Sequence, residues 1–429
     1  MTQTTDNDPD PVTSKRVMLL MSPATYRAAA FFAAARGLGI ETISVVDMPD
    51  HLQEYWGESH GVDFSDTVRA TTTIVELARR DGIDALLSVD DSATELAALA
   101  GSQLSVPHNA PEAAVAARDK HRMRSMLAAG GVRCPGFQTY AAIADPSTYA
   151  DDVSYPCVVK PTRLSGSRGV IRANDAVELA VAVRRLQSIL TSDGNDLTTT
   201  DILIEDYIPG EEVAVEGLLT DGELHVLTIF DKPDPLVGPF FEETIYTTPS
   251  RLPAGVQEAI ARETAACAAA LGLRTGPVHA ELRINAEGPW ILEIAGRSIG
   301  GLCSTVLSFG AGMCLEELIL RHAVGMEIPS YDRSSNAAGV MMIPIPKAGI
   351  LRKVGGTDEA RAVEHIDGIE ITAKLNYPIK PLPEGASYLG FIFARADTPE
   401  DVERALREAH AQLQIRIDPM MLMQNVAAG

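Results

Sequence analysis

The chain has 429 residues, 46% of them hydrophobic, and a formal net charge of −22. That length suits two or three domains with sizeable cores, and no apolar run reaches membrane-spanning length. The acidic field disfavours nucleic acid and anionic lipid as partners, and it would repel a nucleotide too, so an enzyme acting on one must concentrate cationic groups locally and bring a metal.

Residues 1–14 read as a disordered lead-in, and the apolar run 17–21 is too short for a signal-peptide core. The five cysteines are odd in number and lack metal-type spacing, which points to reduced thiols in a cytoplasmic protein. Cys303, beside a glycine pair, reads as a small buried residue rather than a nucleophile.

From 15 to 110, strands over 16–21, 41–46 and 85–89 alternate with helical patterns over 24–36, 71–80 and 93–100. This alternation predicts an N-terminal α/β domain with a parallel sheet. The first turn, residues 22–25, lacks GxGxxG and so gives no support for a dinucleotide site. Asp90 and Asp91 end a strand, a common ligand position in open α/β sheets and equally a helix N-cap.

A second domain is expected over 111–329. Helices fill 111–129, with Asp119 and Lys120 opening the second. A strand-rich α+β pattern runs from about 155 to 294, and an amphipathic helix covers 313–324. The polar stretch 330–336 marks a boundary, after which 330–429 reads as a separate small α+β domain. Its strands lie near 339–345 and 388–394, and its helix over 399–410. The methionine-rich end, 419–423, could pack against a second copy in a homodimer or against its own domain.

Three constellations carry chemistry. Residues 160–169 (Lys-Pro-Thr-Arg-Leu-Ser-Gly-Ser-Arg-Gly) follow an apolar strand. Small residues there let backbone N–H groups converge on phosphate, and Lys160 at the strand end adds charge. It is not a P-loop, and alone it is also simply a turn. Residues 202–213 run from an apolar strand through a connector into a second strand. The connector can offer backbone groups to an adenine edge, and Glu212 can accept from ribose hydroxyls. Alone it reads as a hairpin with a solvated acidic turn.

The third constellation decides the reading. Strands over 277–285 and 289–297 flank Ala286, Glu287 and Gly288, a three-residue hairpin loop with glycine at its left-handed position. That register pairs Glu281 with Glu293, on one face with His279, Arg283, Ala295 and Arg297. The core face then carries Val278, Ala280, Leu282, Ile284, Trp290, Leu292 and Ile294. Opposed carboxylates repel unless a cation lies between them: a hard metal such as Mg²⁺, or Arg283 or another cationic side chain. Arg297 and the backbone N–H groups of 298–301 suit a carboxylate or acyl-phosphate.

In this order the pieces resemble the ATP-grasp superfamily over roughly residues 110–325, with the preceding unit similar to that family's N-terminal domain. Residues 230–243 and 390–396 further resemble the L-amino acid ligase branch, including its C-terminal domain. The resemblance implies ATP and Mg²⁺ (or Mn²⁺) as cofactors. Lys120 and Lys160 would touch phosphates and adenine, and Ser165, Gly166 and Ser167 would form a mobile loop over the phosphates. Glu205, Tyr207 and Ile208 would hold adenine, and Glu212 the ribose. Glu281 and Glu293 would bind the metal, and Arg297 would be catalytic. His279, Gly300 and Gly301 fall on the substrate side. Ala295 stands where many members have a metal-binding Asn, which leaves the number of metal ions open. The implied function is ATP-dependent ligation of a carboxylate to an amine, with amino acids as the expected substrates. A carboxylase-type step on bicarbonate and a non-catalytic nucleotide binder are the alternatives.

Overall fold

The computed structural model describes residues 14–420 apart from 24, 50 and 53–58. The expected lead-in, save Ser14, and the methionine-rich end beyond Met420 lie outside the described residues. Among the described residues no helix is long and apolar enough to cross a membrane.

The chain divides into two compact units, 1–111 with 313–330, and 112–312 with 331–429. In the first, four parallel strands lie in the order His60–Val62, Glu41–Asp47, Arg16–Met21, Ala85–Ser88. Val17, Met18, Leu19 and Leu20 are fully buried in the central strand, as expected of a parallel strand covered on both faces. The short strand His60–Val62 escaped the sequence reading because three residues carry too little periodicity. Asp66 caps the helix Thr67–Asp81 by accepting from the Arg69 N–H. Asp90 caps the turn after the strand Ala85–Ser88, accepting from the Ser92 N–H and also from Ser22. The helix-cap reading of Asp90 is therefore the one realised.

The helix Leu315–Ala323 belongs to this first unit, although it was expected within 111–329. It buries Leu315, Leu318, Ile319 and Leu320, and its buried Glu316 lies 3.8 Å from the buried Arg27.

The second unit holds an antiparallel four-stranded sheet, ordered Phe137–Ala141, Asp201–Asp206, Cys157–Pro161, Ile171–Ala173. The helix Ala176–Ser192 packs on it through Leu179, Val183, Leu186 and Leu190. An eight-stranded sheet runs Gly288–Ala295, Gly276–Asn285, Glu211–Thr220, Glu223–Asp231, Ile245–Thr248, Ala337–Ile343, Gly390–Ala396, Ile366–Ile371. Its first half packs on the helices Lys120–Ala129 and Ala254–Leu271. Three of the strands after residue 330 join this sheet. The strand Ala337–Ile343 pairs with Ile245–Thr248, Thr248 opposite Ala338, so the sheet is continuous across the expected boundary. Only a three-stranded sheet, Pro378–Ile379, Gly349–Gly355, Gln414–Asp418, is confined to the C-terminal portion.

Candidate functional site

A cleft in the second unit is lined by Lys120, Lys160, Ser165, Gly166, Ser167, Glu205, Tyr207, Ile208, Glu212, His279, Glu281, Glu293 and Arg297. Gly300 and Gly301 are not on its wall, and Gly301 instead abuts the Phe391 ring.

The hairpin reaches the expected opposition of Glu281 and Glu293 by a different route. Its turn has two residues, Ala286 and Glu287, because Asn285 pairs with Gly288. A bulge then inserts Leu292 between the pairs Leu282–Ile291 and Glu281–Glu293. One extra residue cancels the one-residue shift of the shorter turn. The faces between turn and bulge are thereby exchanged. Ile291 is fully buried in the core, whereas Leu292 turns to the cleft and Trp290 lies half-buried beneath the Arg133 guanidinium.

At one end of the cleft Glu205 is 3% exposed and lies between two cations. The Lys160 Nζ is 2.6 Å from its carboxylate and the Arg124 Nε 2.7 Å. Burial works against its charge, yet Arg124 and Lys160 hold the Glu205 carboxyl below its usual range. Burial lowers the Lys160 ammonium. Arg124, fully buried, also donates to the Leu292 carbonyl and so fastens the bulge to its helix.

The connector after Glu205 is shaped by Gly210 (φ 130°), where a Cβ would fall 2.1 Å from the Ile284 carbonyl oxygen. Arg283 donates to the Ile208 carbonyl at 2.8 Å and to Glu212 at 2.8 Å. Its guanidinium lies 5.0 Å from the Tyr207 ring centroid and 5.4 Å from that of Phe241. Arg283 thus braces the connector instead of neutralising the opposed glutamates.

Those glutamates have separate cations. Lys232 is 3.6 Å from Glu281 and Lys120 is 3.4 Å from Glu293. Lys232 also pairs with Glu212 at 2.8 Å and makes a short contact with Glu243. Although burial opposes its charge, these three carboxylates hold the Lys232 ammonium well above its usual value. Burial and Glu281 push Glu243 up to about 7. Below them His279 bonds the buried Glu216 through Nδ1 and faces Glu281 through Nε2 at 3.5 Å. Burial disfavours the imidazolium, but Glu216 and then Glu281 raise His279 to about 9. The other oxygen of Glu216 accepts from the Ile299 N–H at 3.0 Å, tethering the segment that carries Arg297.

The donor set fits a hard divalent cation. Glu212, Glu243 and Glu281 each offer a carboxylate oxygen within 4.8 Å of the others. Glu212 and Glu243 are tied to Lys232 and are 8% and 15% exposed, against 24% for Glu281 and 34% for Glu293. Glu293 is not part of that cluster.

Arg124, Glu216, Lys232, Glu243 and Leu292 were missed in the sequence. Lys232 and Glu243 lie inside the stretch 230–243 that carried the branch resemblance, which was the available signal. The five cysteines form no disulfide, and Cys303 is buried as expected.

A family profile described as ATP-grasp domain matches residues 153–306, and one described as L-amino acid ligase C-terminal domain 2 matches 341–418. The alanine–anticapsin ligase of Bacillus subtilis is 26% identical over 278 residues, 61% of this chain and 57% of its own length. The crystal structure of the L-amino acid ligase from Bacillus licheniformis superposes with a TM-score of 0.81 at 26% identity, over 94% of this chain and 99% of that one. The biotin carboxylase domain of a Hydrogenobacter thermophilus 2-oxoglutarate carboxylase shares the fold at a TM-score of 0.66 and 16% identity, over 94% and 91%. The chain carries an ATP-grasp domain and is similar to ligases that form C–N bonds between a carboxylate and an amine. Its C-terminal portion matches the L-amino acid ligase kind, and the ligase structure is a closer match than the carboxylase domain. The chain spans just over half the length of the alanine–anticapsin ligase it matches.

Proposed function

We propose that this chain joins a small carboxylic acid of the amino-acid class to the amine of a second amino acid, with ATP as phosphoryl donor. The observation that carries this reading is the opposition of Glu281 and Glu293 on a cleft wall that also bears Lys120, Lys160 and Arg297. A carboxylate is a poor electrophile because oxide would have to leave. Its oxygen instead attacks the γ-phosphorus of ATP, the bond to the β-phosphate oxygen breaks, and an acyl-phosphate and ADP form. The amine nitrogen then attacks the acyl carbon, the carbon–oxygen bond to phosphate breaks, and the nitrogen gives up a proton. The products are amide, ADP and phosphate. Such a reaction asks the protein for positioning and charge neutralisation.

In this reading Lys120 and Lys160 hold phosphate oxygens, and Ser165, Gly166 and Ser167 cover them. Tyr207, Ile208 and Leu292 frame the adenine, while Glu205 acts through Lys160, which it holds at 2.6 Å. Glu212 turns its remaining acceptor capacity to the ribose. Glu281 and Glu293 would hold Mg²⁺ or Mn²⁺, which when bound offsets phosphate charge. Arg297 grips the acyl-phosphate, and His279, kept cationic by Glu216 and Glu281, adds positive charge on the acid side. ADP release measured with pairs of amino acids, with product masses, tests the reading. ADP formed only when acid and amine are both present, with an amide product, supports it. ADP formed with bicarbonate alone, or with no acid, overturns it.

A further inference from the structure

The loop that follows Lys160 is held at both ends. At its start the Lys120 Nζ donates to the Leu164 carbonyl at 2.7 Å. Its middle turns tightly, with Gly166, Ser167 and Gly169 at φ 64°, 55° and 72°. At its far end it meets a segment more than 200 residues along the chain. The Gly169 N–H donates to the Pro383 carbonyl at 3.0 Å, and the Arg168 Nε to the Glu384 carbonyl at 2.9 Å. Arg168 also pairs with both oxygens of Asp193, at 2.6 and 2.7 Å.

The segment that receives these bonds is itself fixed. Both Glu384 carboxylate oxygens pair with Arg185 on the helix Ala176–Ser192, at 2.6 and 2.9 Å. Arg185 lies in turn over the Phe240 ring, 4.6 Å from its centroid. The turn is tight, since the Gly385 N–H donates to Pro381 and a Cβ at Gly385 would fall 1.9 Å from the Lys380 carbonyl oxygen. A free ion pair at this exposure would matter little. This one is bidentate and closes a ring that runs from helix to Glu384 to loop and back to the helix end at Asp193.

We propose that Glu384 is a positioning residue for the nucleotide: its bond to Arg185 fixes the carbonyls of Pro383 and Glu384, and these hold the loop 165–169 over the cleft. The proposal rests on the reading of that loop as a phosphate cover. It gives the C-terminal portion a part in ATP binding although Glu384 does not line the cleft.

The test compares Glu384→Gln, Glu384→Ala and the charge swap Arg185→Glu with Glu384→Arg in the full chain. Amide hydrogen exchange at 163–170 without nucleotide reports the clasp, and the KM for ATP and kcat report its use. The expected result is exchange faster by about fivefold, the scale of one exposed ion pair, with KM for ATP raised by a similar factor. kcat should change less than about twofold, and the charge swap should recover most of both effects. Unchanged exchange in Glu384→Ala overturns the clasp. Faster exchange with an unchanged KM for ATP shows the clasp but removes the loop from the nucleotide, overturning the phosphate-cover reading and the proposal with it. A global fall in Tm without a KM effect, not relieved by the charge swap, also overturns it.

Discussion

Glu281 and Glu293 face each other across one antiparallel ladder, yet each carboxylate has its own lysine, Lys232 at 3.6 Å and Lys120 at 3.4 Å. The two lysines come from different parts of the chain, so the like-charge pair is stabilised from two sides. Both carboxylates also line the cleft.

That arrangement makes Glu293 separable from the fold. Glu293→Gln removes an ion pair between the buried Lys120 and the partly exposed Glu293, but Lys120 keeps its bond to the Leu164 carbonyl and the opposition to Glu281 is relieved. Stability is expected to change by less than about 1 kcal/mol, while ligation falls at least about a hundredfold, the scale of losing transition-state charge stabilisation. Steady-state ADP release across a magnesium titration, beside urea denaturation, checks both. Near-normal turnover would remove Glu293 from the metal site.

Glu205 is the opposite case. It is buried between Arg124 and Lys160, and Glu205→Gln leaves the Arg124 charge without its partner. Breaking a buried pair in this way costs about 3–5 kcal/mol. The pH dependence has a definite sign. The folded carboxyl sits below its usual value, so between the folded and unfolded pKa the unfolded chain binds more protons and stability rises with pH. The contribution is complete above the ordinary glutamate value near about 4.3 and is lost as pH falls through the folded value. Denaturation of wild type and variant between pH 3 and 7, on the order of a unit apart, should show this slope in the wild type and a reduced one in the variant. Equal slopes would mean that Glu205 is not held ionised.

The bulge at Leu292 can be tested by two neighbouring truncations. Ile291 faces the core and Leu292 the cleft. Ile291→Ala should cost about 2–5 kcal/mol, the usual range for a buried aliphatic side chain. Leu292→Ala should cost clearly less and should weaken binding of an ATP analogue instead. Denaturation midpoints and calorimetric affinities check the pair. If Leu292→Ala proves the more destabilising, the faces are assigned the wrong way round.

The bulge also shows what could be read in the sequence. Period-two alternation and a glycine turn were enough to oppose Glu281 and Glu293, but only because the shorter turn and the extra residue cancel. Between those two features the expected faces of Trp290 and Leu292 were reversed. The parallel sheet before residue 110 was legible because short apolar strands alternate with helical patterns along the chain. The continuous sheet across residue 330 was not, since Ser330–Asn336 looks like any polar linker and pairing of Thr248 with Ala338 is a non-local fact. Lys232, Glu243 and Glu216 were hidden for the same reason. They stand on other strands, and nothing in their local sequence says that they converge on Glu281 and His279. The loop around Gly166 was expected to be mobile, and the tie of Arg168 and Gly169 to Pro383 and Glu384 lies just as far outside any local pattern.

Arg297 offers the sharpest test of the ligase reading. It lines the cleft, follows the strand that carries Glu293, and donates to the Ser298 carbonyl at 2.8 Å. Its segment is held independently by Glu216, whose carboxylate accepts from the Ile299 N–H. Truncation of Arg297 should therefore leave the segment in place. Arg297→Ala is expected to stay folded and to bind an ATP analogue within about threefold of wild type. Its ligation rate should fall by roughly a hundredfold or more, the scale of one lost transition-state anion contact. Arg297→Lys should recover little, because a single ammonium cannot reproduce the two-pronged grip of a guanidinium on an acyl-phosphate. Nucleotide affinity and ligation rate on the same preparations decide the matter. A tenfold or greater loss of nucleotide affinity with unchanged turnover at saturation would move Arg297 from the acyl-phosphate to the nucleotide, and the anion contact in the second step would have to come from His279.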